Sequence, residues 1–359
     1  MNDQRPVLIM AGGTGGHVFP GLAIARVLRE RGVPVLWLGT RQGLEARLVP
    51  AAGIPIEWLT VRGLRNKGLL GWLMAPLRIL RGMLQATRIL RRHRPRVVLG
   101  LGGYVAGPGG LAAWLLRRPL VLHEQNAIAG LTNRLLSRLA RRVLCGFPGA
   151  FPAARGSEVV GNPVRPEILA LPGPAERKPA VHRPMRLLVV GGSLGARILN
   201  ETVPAAVARL PGDIRPEIRH QAGEATLDVA EDGYARHQVT VQVMPFIDDM
   251  AAAYGWADLV LCRAGALTVS ELAAAGRPAI LVPLPHAVDD HQTANARYLS
   301  DNGGGWLLPQ HELDPDRLAG LLRRAATEPE TIADMAARAR HLARPDAAER
   351  VADACLEVA

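Results

Sequence analysis

The chain has 359 residues, more than a single hydrophobic core usually organises, so its length predicts two domains. Aromatic residues make up only 4% of it, a composition that favours an α/β protein. The three cysteines, Cys145, Cys262 and Cys355, are far apart and have no metal-binding or redox spacing, which fits a reducing compartment. We expect no secretory signal, and no apolar run is long enough to cross a bilayer.

The positive charge is concentrated in the first half of the sequence. The formal net charge is +11, but residues 1–160 hold 23 Lys and Arg against 6 Asp and Glu, a net of +17. The remaining residues hold 20 against 26, a net of −6. A basic half beside an acidic half indicates an anionic partner, and nucleic acid and an anionic membrane are the two candidates.

The first predicted elements are a strand, a glycine loop and a helix, an arrangement that binds phosphate groups. Val7–Met10 is the strand, Ala11-Gly-Gly-Thr-Gly-Gly-His17 the loop and residues 20–31 the helix. The loop matches neither the dinucleotide fingerprint nor the ATP-binding P-loop, and no acidic residue directly follows the second predicted strand, residues 35–38. We therefore expect no nicotinamide cofactor, no ATP chemistry and no other cofactor.

Residues 69–92 differ from the rest of the first half, because bulky apolar residues alternate there with arginines. The residues concerned are Trp72, Leu73, Leu77, Leu80, Leu84, Arg78, Arg81, Arg88, Arg91 and Arg92. A basic amphipathic segment of this kind is typical of a membrane interface. The alternative is an ordinary helix that packs on a sheet with its arginines solvated.

Two polar or glycine-rich segments follow predicted strands in this half. A second glycine loop, residues 100–108, contains Tyr104, and the predicted strand at residues 119–122 ends in His123-Glu-Gln-Asn126. Ligands of open α/β sheets bind at the carboxyl ends of the strands. Both segments are therefore candidate binding sites.

Residues 166–184 are rich in Pro, Ala and charge and are predicted to be a linker, after which the strand, glycine loop and helix pattern recurs. The sequence therefore predicts two doubly wound parallel-sheet domains. In the second, Arg263-Ala-Gly-Ala-Leu-Thr-Val-Ser-Glu271 joins a strand to a helix and offers free N–H groups to an anion. The Glu271 carboxylate near the helix start can accept hydrogen bonds from a sugar diol; the alternative is that it only complements the helix dipole.

Six motifs occur in order along the chain. They are Ala11-Gly-Gly-Thr-Gly-Gly-His17, Gly102-Gly-Tyr104, His123-Glu-Gln-Asn126, Gly161-Asn-Pro-Val-Arg165, Gly191-Gly-Ser193 and Gly265-Ala-Leu-Thr-Val-Ser-Glu271. Together they resemble the MurG family of bacterial peptidoglycan glycosyltransferases. The resemblance implies the GT-B fold, in which two Rossmann-like domains face a cleft. It assigns residues 1–163 to an acceptor and membrane-associating domain and residues 164–340 to a UDP-GlcNAc-binding domain, with a helix at about residues 341–359 packing back on the first.

The activity that the resemblance implies is transfer of N-acetylglucosamine (GlcNAc) from UDP-GlcNAc to lipid I, undecaprenyl-diphospho-MurNAc-pentapeptide. The product is lipid II for peptidoglycan, made with inversion at the anomeric carbon and a β-1,4 bond. The family serves cell-wall synthesis, cell shape and cell division. The expected partners are therefore UDP-GlcNAc, lipid I and an anionic membrane, and the expected location is the cytoplasmic face of the cell (inner) membrane, as a peripheral protein.

The resemblance also implies which residues contact the substrates. Tyr104 is a candidate contact for the acceptor. The expected donor contacts are Thr14, Gly15, Gly16, Asn126, Arg165, Ser193, Ile247, Ala266, Leu267, Thr268, Val269, Ser270, Glu271 and Gln292. Helix N-termini and Arg165 can neutralise a diphosphate, and the pairs Asp248-Asp249 and Asp289-Asp290 fit helix caps better than metal ligands, so we predict no protein-bound metal.

An inverting transfer needs a base beside the attacking hydroxyl. His17 closes the first glycine loop, and histidine side chains ordinarily titrate near neutral pH. Glu124 is the rival candidate for the base. The alternative for His17 is a structural role, as a helix cap or an anchor of the loop.

Two other functions fit part of the pattern. A UDP-GlcNAc epimerase would share the fold, but a soluble sugar nucleotide needs no membrane-facing segment. A nucleic-acid-binding protein would explain the charge, but the chain lacks a basic stripe with interleaved aromatic residues, and the glycine loops would have no role. We therefore expect no nucleic-acid partner.

Overall fold

The structure is a computed structural model that describes residues 4–61, 75–177, 183–192, 195–285 and 288–359. The chain divides into two compact units, one of Met1–Arg165 with Arg344–Ala359 and the other of Pro166–Ala343. Three residues named above, Trp72, Leu73 and Ser193, lie outside the described residues.

The first unit is built on one parallel sheet. Its strands are β1 (Val7–Met10), β2 (Val35–Gly39), β3 (Ile56–Trp58), β4 (Val97–Gly100), β5 (Leu120–Glu124), β6 (Arg142–Cys145) and β7 (Glu158–Val159). They lie in the order β3-β2-β1-β4-β5-β6-β7, and every neighbouring pair is parallel. The order reverses between β1 and β4, so the loops after these two strands open at the switch point where doubly wound sheets bind ligands.

Helices cover both faces of this sheet, so its strands β1, β2, β4 and β5 are buried on both sides. They are α1 (Gly15–Glu30), α2 (Glu45–Ala51), α3 (Ala75–His93), α4 (Ala106–Leu115) and α5 (Leu131–Leu136). On one face α1 and α2 pack through Ile24 and Val49. On the other face α3, α4 and α5 pack through Leu90, Ala112 and Leu136.

The second unit repeats the arrangement. Its strands are β8 (Arg186–Val190), β9 (Glu217–Gln221), β10 (Gln242–Met244), β11 (Leu259–Cys262), β12 (Ala279–Leu281) and β13 (Gly305–Leu307), in the order β10-β9-β8-β11-β12-β13 and all parallel. Its helices are α6 (Pro166–Leu169), α7 (Arg197–Ala208), α8 (Leu227–Arg236), α9 (Met250–Trp256), α10 (Ala266–Ala275), α11 (His291–Ser300), α12 (Pro315–Thr327) and α13 (Pro329–His341). The predicted doubly wound α/β architecture is confirmed in both units.

The last helix, α14 (Ala347–Glu357), belongs to the first unit. Val351 and Cys355 are fully buried in the same core as α1. Glu158 accepts hydrogen bonds from Arg142 and Arg350, each at 2.7 Å, and these arginines lower the pKa of its carboxyl group. Because the pairs are partly exposed, apolar burial and not the ion pairs supplies most of the docking energy.

The structure differs from the predicted elements in three places that matter for function. Helix α1 was predicted to begin at residue 20, but it begins at Gly15, directly after the extended residue Thr14. His17 therefore lies in the first turn of a helix. Strand β5 continues to Glu124, so the backbone of His123 and Glu124 belongs to the sheet and not to the loop after it. The predicted linker begins with the short helix α6.

Among the helices that the structure describes, none combines the length and the apolarity that crossing a bilayer requires.

Candidate active site

The loops after β1 and β4 touch each other at the switch point of the first sheet. Gly103 has a φ of +77°, and a Cβ at this position would lie 2.4 Å from the carbonyl oxygen of Gly12. Gly102 has a φ of +113°, and a Cβ there would lie 2.9 Å from Cε1 of the His17 ring. Side chains at these positions would push the loops apart, so the contact requires both glycines.

Glu45, which the sequence did not single out, holds the first loop in place. Its carboxylate is fully buried and accepts hydrogen bonds from the backbone nitrogens of Gly13 and Thr40, each at 2.9 Å. The hydroxyl of Thr40 donates a third, at 2.7 Å. In the sequence, Glu45 is simply an acidic residue that follows a glycine-containing segment. Nothing in that pattern identifies Gly13 and Thr40 as its partners.

The His17 ring is half-buried and is hydrogen-bonded to a side chain that directly follows β5. Its Nδ1 lies 2.9 Å from Oε1 of Gln125. Nε2 of Gln125 lies 3.1 Å from both Nδ1 and the carbonyl oxygen of His123, and Nε2 of His123 lies 2.8 Å from the carbonyl oxygen of Gly161. Burial lowers the pKa of His123 from 6.5 to about 4, so this ring is neutral at pH 7.

Glu124 is buried and fully used as a hydrogen-bond acceptor. Oε1 accepts from the backbone and side-chain nitrogens of Asn126, at 2.9 and 3.1 Å. Oε2 accepts from the backbone nitrogen of Gly130 and the side-chain amide of Asn133, at 3.1 and 2.9 Å. Four donors on one carboxylate occupy the lone pairs that a base would use. The geometry therefore favours a structural role for Glu124, with Asn126 fixed beside it.

The other candidate residues of the first unit lie near the start of α1 or on the second glycine loop. Thr14 precedes the helix, is exposed, and makes no capping bond with its side chain. Gly15 and Gly16 are the first two helical residues. The Arg165 guanidinium lies 5.1 Å from the centre of the Phe19 ring, which places it over the second turn of α1. Tyr104 is 53% exposed on the second loop.

In the second unit the turn before α10 positions a buried carboxylate. Gly265 precedes the helix, and the side-chain amide of Asn295 donates to the carbonyl oxygen of Ala264 at 3.1 Å. Glu271 is the sixth residue of α10, is 4% exposed, and accepts a hydrogen bond from the Tyr254 hydroxyl at 3.3 Å. The helix dipole acts mainly within the first turn, which here contains no acidic residue, so position does not support a role for Glu271 as its complement.

The remaining donor candidates also follow strands of the second sheet. Ile247 is buried after β10, and the hydroxyl of Ser270 donates to the carbonyl oxygen of Ala266 within α10 at 3.0 Å. Gln292, in the first turn of α11, accepts from the backbone nitrogen of Leu284 at 3.0 Å. The fold thus gathers the residues after β10, β11 and β12 at one edge of this sheet. Leu267, Thr268 and Val269 belong to the first turns of α10.

In each aspartate pair, one carboxylate accepts a hydrogen bond from a protein donor. Asp249 caps α9 by accepting from the backbone nitrogen of Ala252 at 2.8 Å, and Asp290 accepts from the Thr293 hydroxyl at 2.7 Å. Within the residue ranges given for the structure, no group of three or more His, Cys, Asp and Glu side chains is arranged to hold a metal ion.

Both units match domain families of glycosyltransferases. Residues 7–145 match the glycosyltransferase family 28 N-terminal domain, and residues 186–351 match the family 28 C-terminal domain. The crystal structure of MurG from Acinetobacter baumannii is similar at a TM-score of 0.83 and 42% identity, over 98% of this chain and 99% of that chain. The GT-B class expected from the motifs is therefore confirmed.

Sequence relatives narrow the class to one family. Two of them carry the name UDP-N-acetylglucosamine--N-acetylmuramyl-(pentapeptide) pyrophosphoryl-undecaprenol N-acetylglucosamine transferase. The one from Alkalilimnicola ehrlichii is 66% identical over 99% of both chains, and the one from Nitrosococcus oceani is 59% identical over 98% of both. This chain belongs to that family, the MurG transferases. A UDP-GlcNAc 2-epimerase from Neisseria meningitidis has a TM-score of 0.70 at 13% identity, over 98% of this chain and all of that one, a likeness in fold alone.

We expect Glu124→Gln to destabilise the first unit, because the new amide would point a donor at groups that also donate. The free energy of unfolding should fall by about 1–3 kcal/mol, measured by urea denaturation. Glu349→Gln, at an exposed position of α14, is the matched control and should change little. Unchanged stability in Glu124→Gln would contradict the structural role and return Glu124 to consideration as the base.

Proposed function

We propose that this protein transfers GlcNAc from UDP-GlcNAc to lipid I and so produces lipid II for peptidoglycan. The observation that carries the proposal is 66% identity, over 99% of both chains, to a relative whose name states this transfer. Incubation with UDP-GlcNAc and a lipid I analogue, followed by mass spectrometry of the lipid, tests it. A disaccharide lipid is the expected product, and hydrolysis or epimerisation of UDP-GlcNAc without transfer would contradict the proposal.

In the proposed reaction the acceptor hydroxyl attacks the anomeric carbon of GlcNAc in a single displacement. The oxygen forms the new glycosidic bond and gives its proton to the base, while the bond from the anomeric carbon to the diphosphate oxygen breaks and UDP leaves with its electrons. The protein must therefore supply a base and stabilise charge on the departing diphosphate. Arg165 and the backbone N–H groups at the start of α1 are the groups that we assign to that charge.

His17 is the base that the contacts support best. Its ring projects from the first turn of α1 against the second glycine loop, and its Nδ1 is hydrogen-bonded to Gln125, which leaves Nε2 without a partner among the described residues. Glu124 is less suited, because its carboxylate accepts four hydrogen bonds from the protein. We assign Tyr104, exposed on the neighbouring loop, to the acceptor.

The second unit is assigned to the donor nucleotide. The buried Glu271 carboxylate is proposed to accept a hydrogen bond from each of the two ribose hydroxyls. The turn at Gly265 is proposed to offer N–H groups to the diphosphate. The backbone around Ile247 is proposed to bind the uracil. Gln292 and Ser193 are also assigned to the donor nucleotide.

Membrane association is proposed for the face of the first unit that carries α3, α4 and α5. Leu77, Leu80 and Leu84 form one exposed stripe on α3, being 61%, 53% and 52% accessible. The neighbouring helices add further exposed apolar residues: Trp114, Leu115, Leu131 and Leu135. Arginines also lie exposed on these helices or directly after them: Arg81, Arg88, Arg91, Arg117, Arg134 and Arg138.

The alternative of a solvated packed helix accounts for only half of α3. Ala86 and Leu90 in its second half are buried against the sheet, whereas the leucines of its first half have no such cover. Apolar insertion and attraction to anionic headgroups can act together on this face, which would bring the enzyme to its lipid-linked acceptor. The proposed location is accordingly the cytoplasmic surface of the cell membrane.

For catalysis, we expect His17→Ala to lower kcat about 100- to 10,000-fold, the range that a general base contributes. KM for UDP-GlcNAc should change little, because the base acts in the transition state. Steady-state kinetics with a water-soluble acceptor measures both values. The matched control is His237→Ala, an exposed histidine at the end of α8, and near-normal turnover in His17→Ala would remove His17 from the reaction.

For donor recognition, we expect Glu271→Ala to weaken UDP binding by about 1–3 kcal/mol, or about 5- to 150-fold, because the ribose hydroxyls lose a buried acceptor. Isothermal titration with UDP measures it. Tyr254→Phe is the control, since it removes the hydroxyl that donates to the carboxylate but keeps the carboxylate itself, and should leave UDP affinity nearly unchanged. Equal affinity in Glu271→Ala and the unmodified protein would take Glu271 out of the donor site.

For membrane binding, we expect Arg88→Glu with Arg91→Glu to weaken binding to anionic vesicles about 30-fold or more, at about 1 kcal/mol for each basic residue. Arg92 is left in place because it lies 3.9 Å from Glu57. Arg236→Glu with Arg297→Glu in the acidic second unit is the charge-matched control.

In the protein with Arg88→Glu and Arg91→Glu, activity should fall on the long-chain acceptor and persist on a short soluble one. Equal loss on both acceptors would show that the arginines serve the fold and not a membrane surface.

A further inference from the structure

The hydrogen bonds that reach His17 have a direction, and the backbone sets it at one end. The carbonyl oxygen of Gly161 can only accept, so Nε2 of His123, 2.8 Å away, carries a proton. His123 is fully buried and neutral, as its lowered pKa requires, and a neutral imidazole has only one N–H. Its Nδ1 is therefore an acceptor.

A second backbone carbonyl fixes the orientation of the Gln125 amide. The carbonyl oxygen of His123 lies 3.1 Å from one end of this amide, which must be the NH2 group because two oxygens would repel. The other hydrogen of that NH2 group meets Nδ1 of His123, also at 3.1 Å. Both contacts agree on the same orientation. The amide oxygen therefore points to His17.

The proton on His17 follows from these two anchors. Oε1 of Gln125 is an acceptor, so Nδ1 of His17, 2.9 Å away, must donate. A neutral His17 then carries its lone pair on Nε2. In the part of the chain that the structure describes, no protein group is hydrogen-bonded to that nitrogen.

We propose that Gln125 and His123 are positioning residues that hold neutral His17 in its Nδ1–H tautomer, so that Nε2 is the atom that takes the proton of the acceptor hydroxyl. This inference rests on the proposed function, because it assumes that His17 is the base. A third group that fixes the tautomer of a catalytic histidine is a recurring device, since only one of the two ring nitrogens faces the reacting atoms. In this protein the side chains that fix the tautomer are uncharged, and the chain of hydrogen bonds that they form ends on a backbone carbonyl.

Burial makes this orientation hard to reverse. Gln125 is 1% exposed and His123 is fully buried, so no water replaces a lost partner. Turning the amide of Gln125 by half a rotation would set its oxygen against the carbonyl oxygen of His123 and leave buried donors and acceptors unpaired. Each such group would lose hydrogen bonds that it makes with water in the unfolded chain, so the orientation shown is strongly preferred.

The test is ¹⁵N NMR of the full-length protein labelled in histidine, at a pH where the His17 ring is neutral. The chain contains 10 histidines, and the signals missing from His17→Gln identify those of His17. The unmodified protein should show a protonated Nδ1 and an unprotonated Nε2. In Gln125→Met, which is similar in length but offers no amide, Nε2 should gain the proton in a large share of the molecules.

Gln125→Glu keeps an oxygen facing Nδ1 of His17 and should preserve the tautomer, although its second oxygen now faces the carbonyl oxygen of His123 and lowers the stability of the fold. Kinetics should follow the spectra: kcat of Gln125→Met falls about tenfold or more with KM for UDP-GlcNAc nearly unchanged, and Gln125→Glu retains more activity. Protonated Nε2 in the unmodified protein, or an unchanged tautomer in Gln125→Met, would overturn the inference. A changed tautomer at unchanged kcat would uphold the hydrogen-bond chain and refute His17 as the base.

Discussion

A polar group buried away from water must be hydrogen-bonded, and this requirement shapes the carboxyl edge of the first sheet. His123, Glu124 and Gln125 are consecutive and at most 2% exposed, an unusual concentration of polar side chains at the end of a buried strand. Each is satisfied by a different part of the unit: His123 by the backbone of Gly161, Glu124 by the segment after β5, and Gln125 by its neighbour and His17. Among the residues that the structure describes, no protein group is hydrogen-bonded to Nε2 of His17, and this is the nitrogen assigned to catalysis.

Rigidity at this edge has consequences for the loops around it. The contact of Gly103 with Gly12 and of Gly102 with His17 joins the loops after β1 and β4, while Glu45 holds the first loop to the turn after β2. These contacts join protein groups to one another, and they fix the two loops relative to each other and to the turn after β2. Preorganisation of this kind lets the site meet developing charge without the cost of rearrangement. The second unit uses the same principle, with Glu271 buried behind a glycine turn.

Much of the fold was predictable because its signals are local. Buried strands such as Val7–Met10 and Arg186–Val190 appear as apolar runs, and the glycine loops follow them directly, so the two doubly wound sheets follow from the sequence. The start of α1 was less accessible, because two glycines oppose helix formation and tertiary contacts hold His17 in the first turn. Partners distant in sequence were not predictable at all. His17 and Gln125 are 108 residues apart, and no spacing rule joins them.

The same reasoning explains why Glu124 remained a rival to His17 as the base when only the sequence was considered. A carboxylate and an imidazole near a predicted ligand site are both plausible bases, and only the neighbours of each separate them. Four donors surround the carboxylate, whereas one acceptor orients the imidazole. The environment of a titratable group, and not its type, decides its role.

The central claim is that GlcNAc is transferred in one displacement, with a single protein base and no covalent sugar–enzyme intermediate. The most direct measurement is the configuration of the new glycosidic bond, read from the coupling of the anomeric proton in the NMR spectrum of the product. The α-linked sugar of UDP-GlcNAc should become β-linked in every product molecule. An α-linked product would contradict the account, because retention requires a second displacement and a nucleophile that this account does not contain.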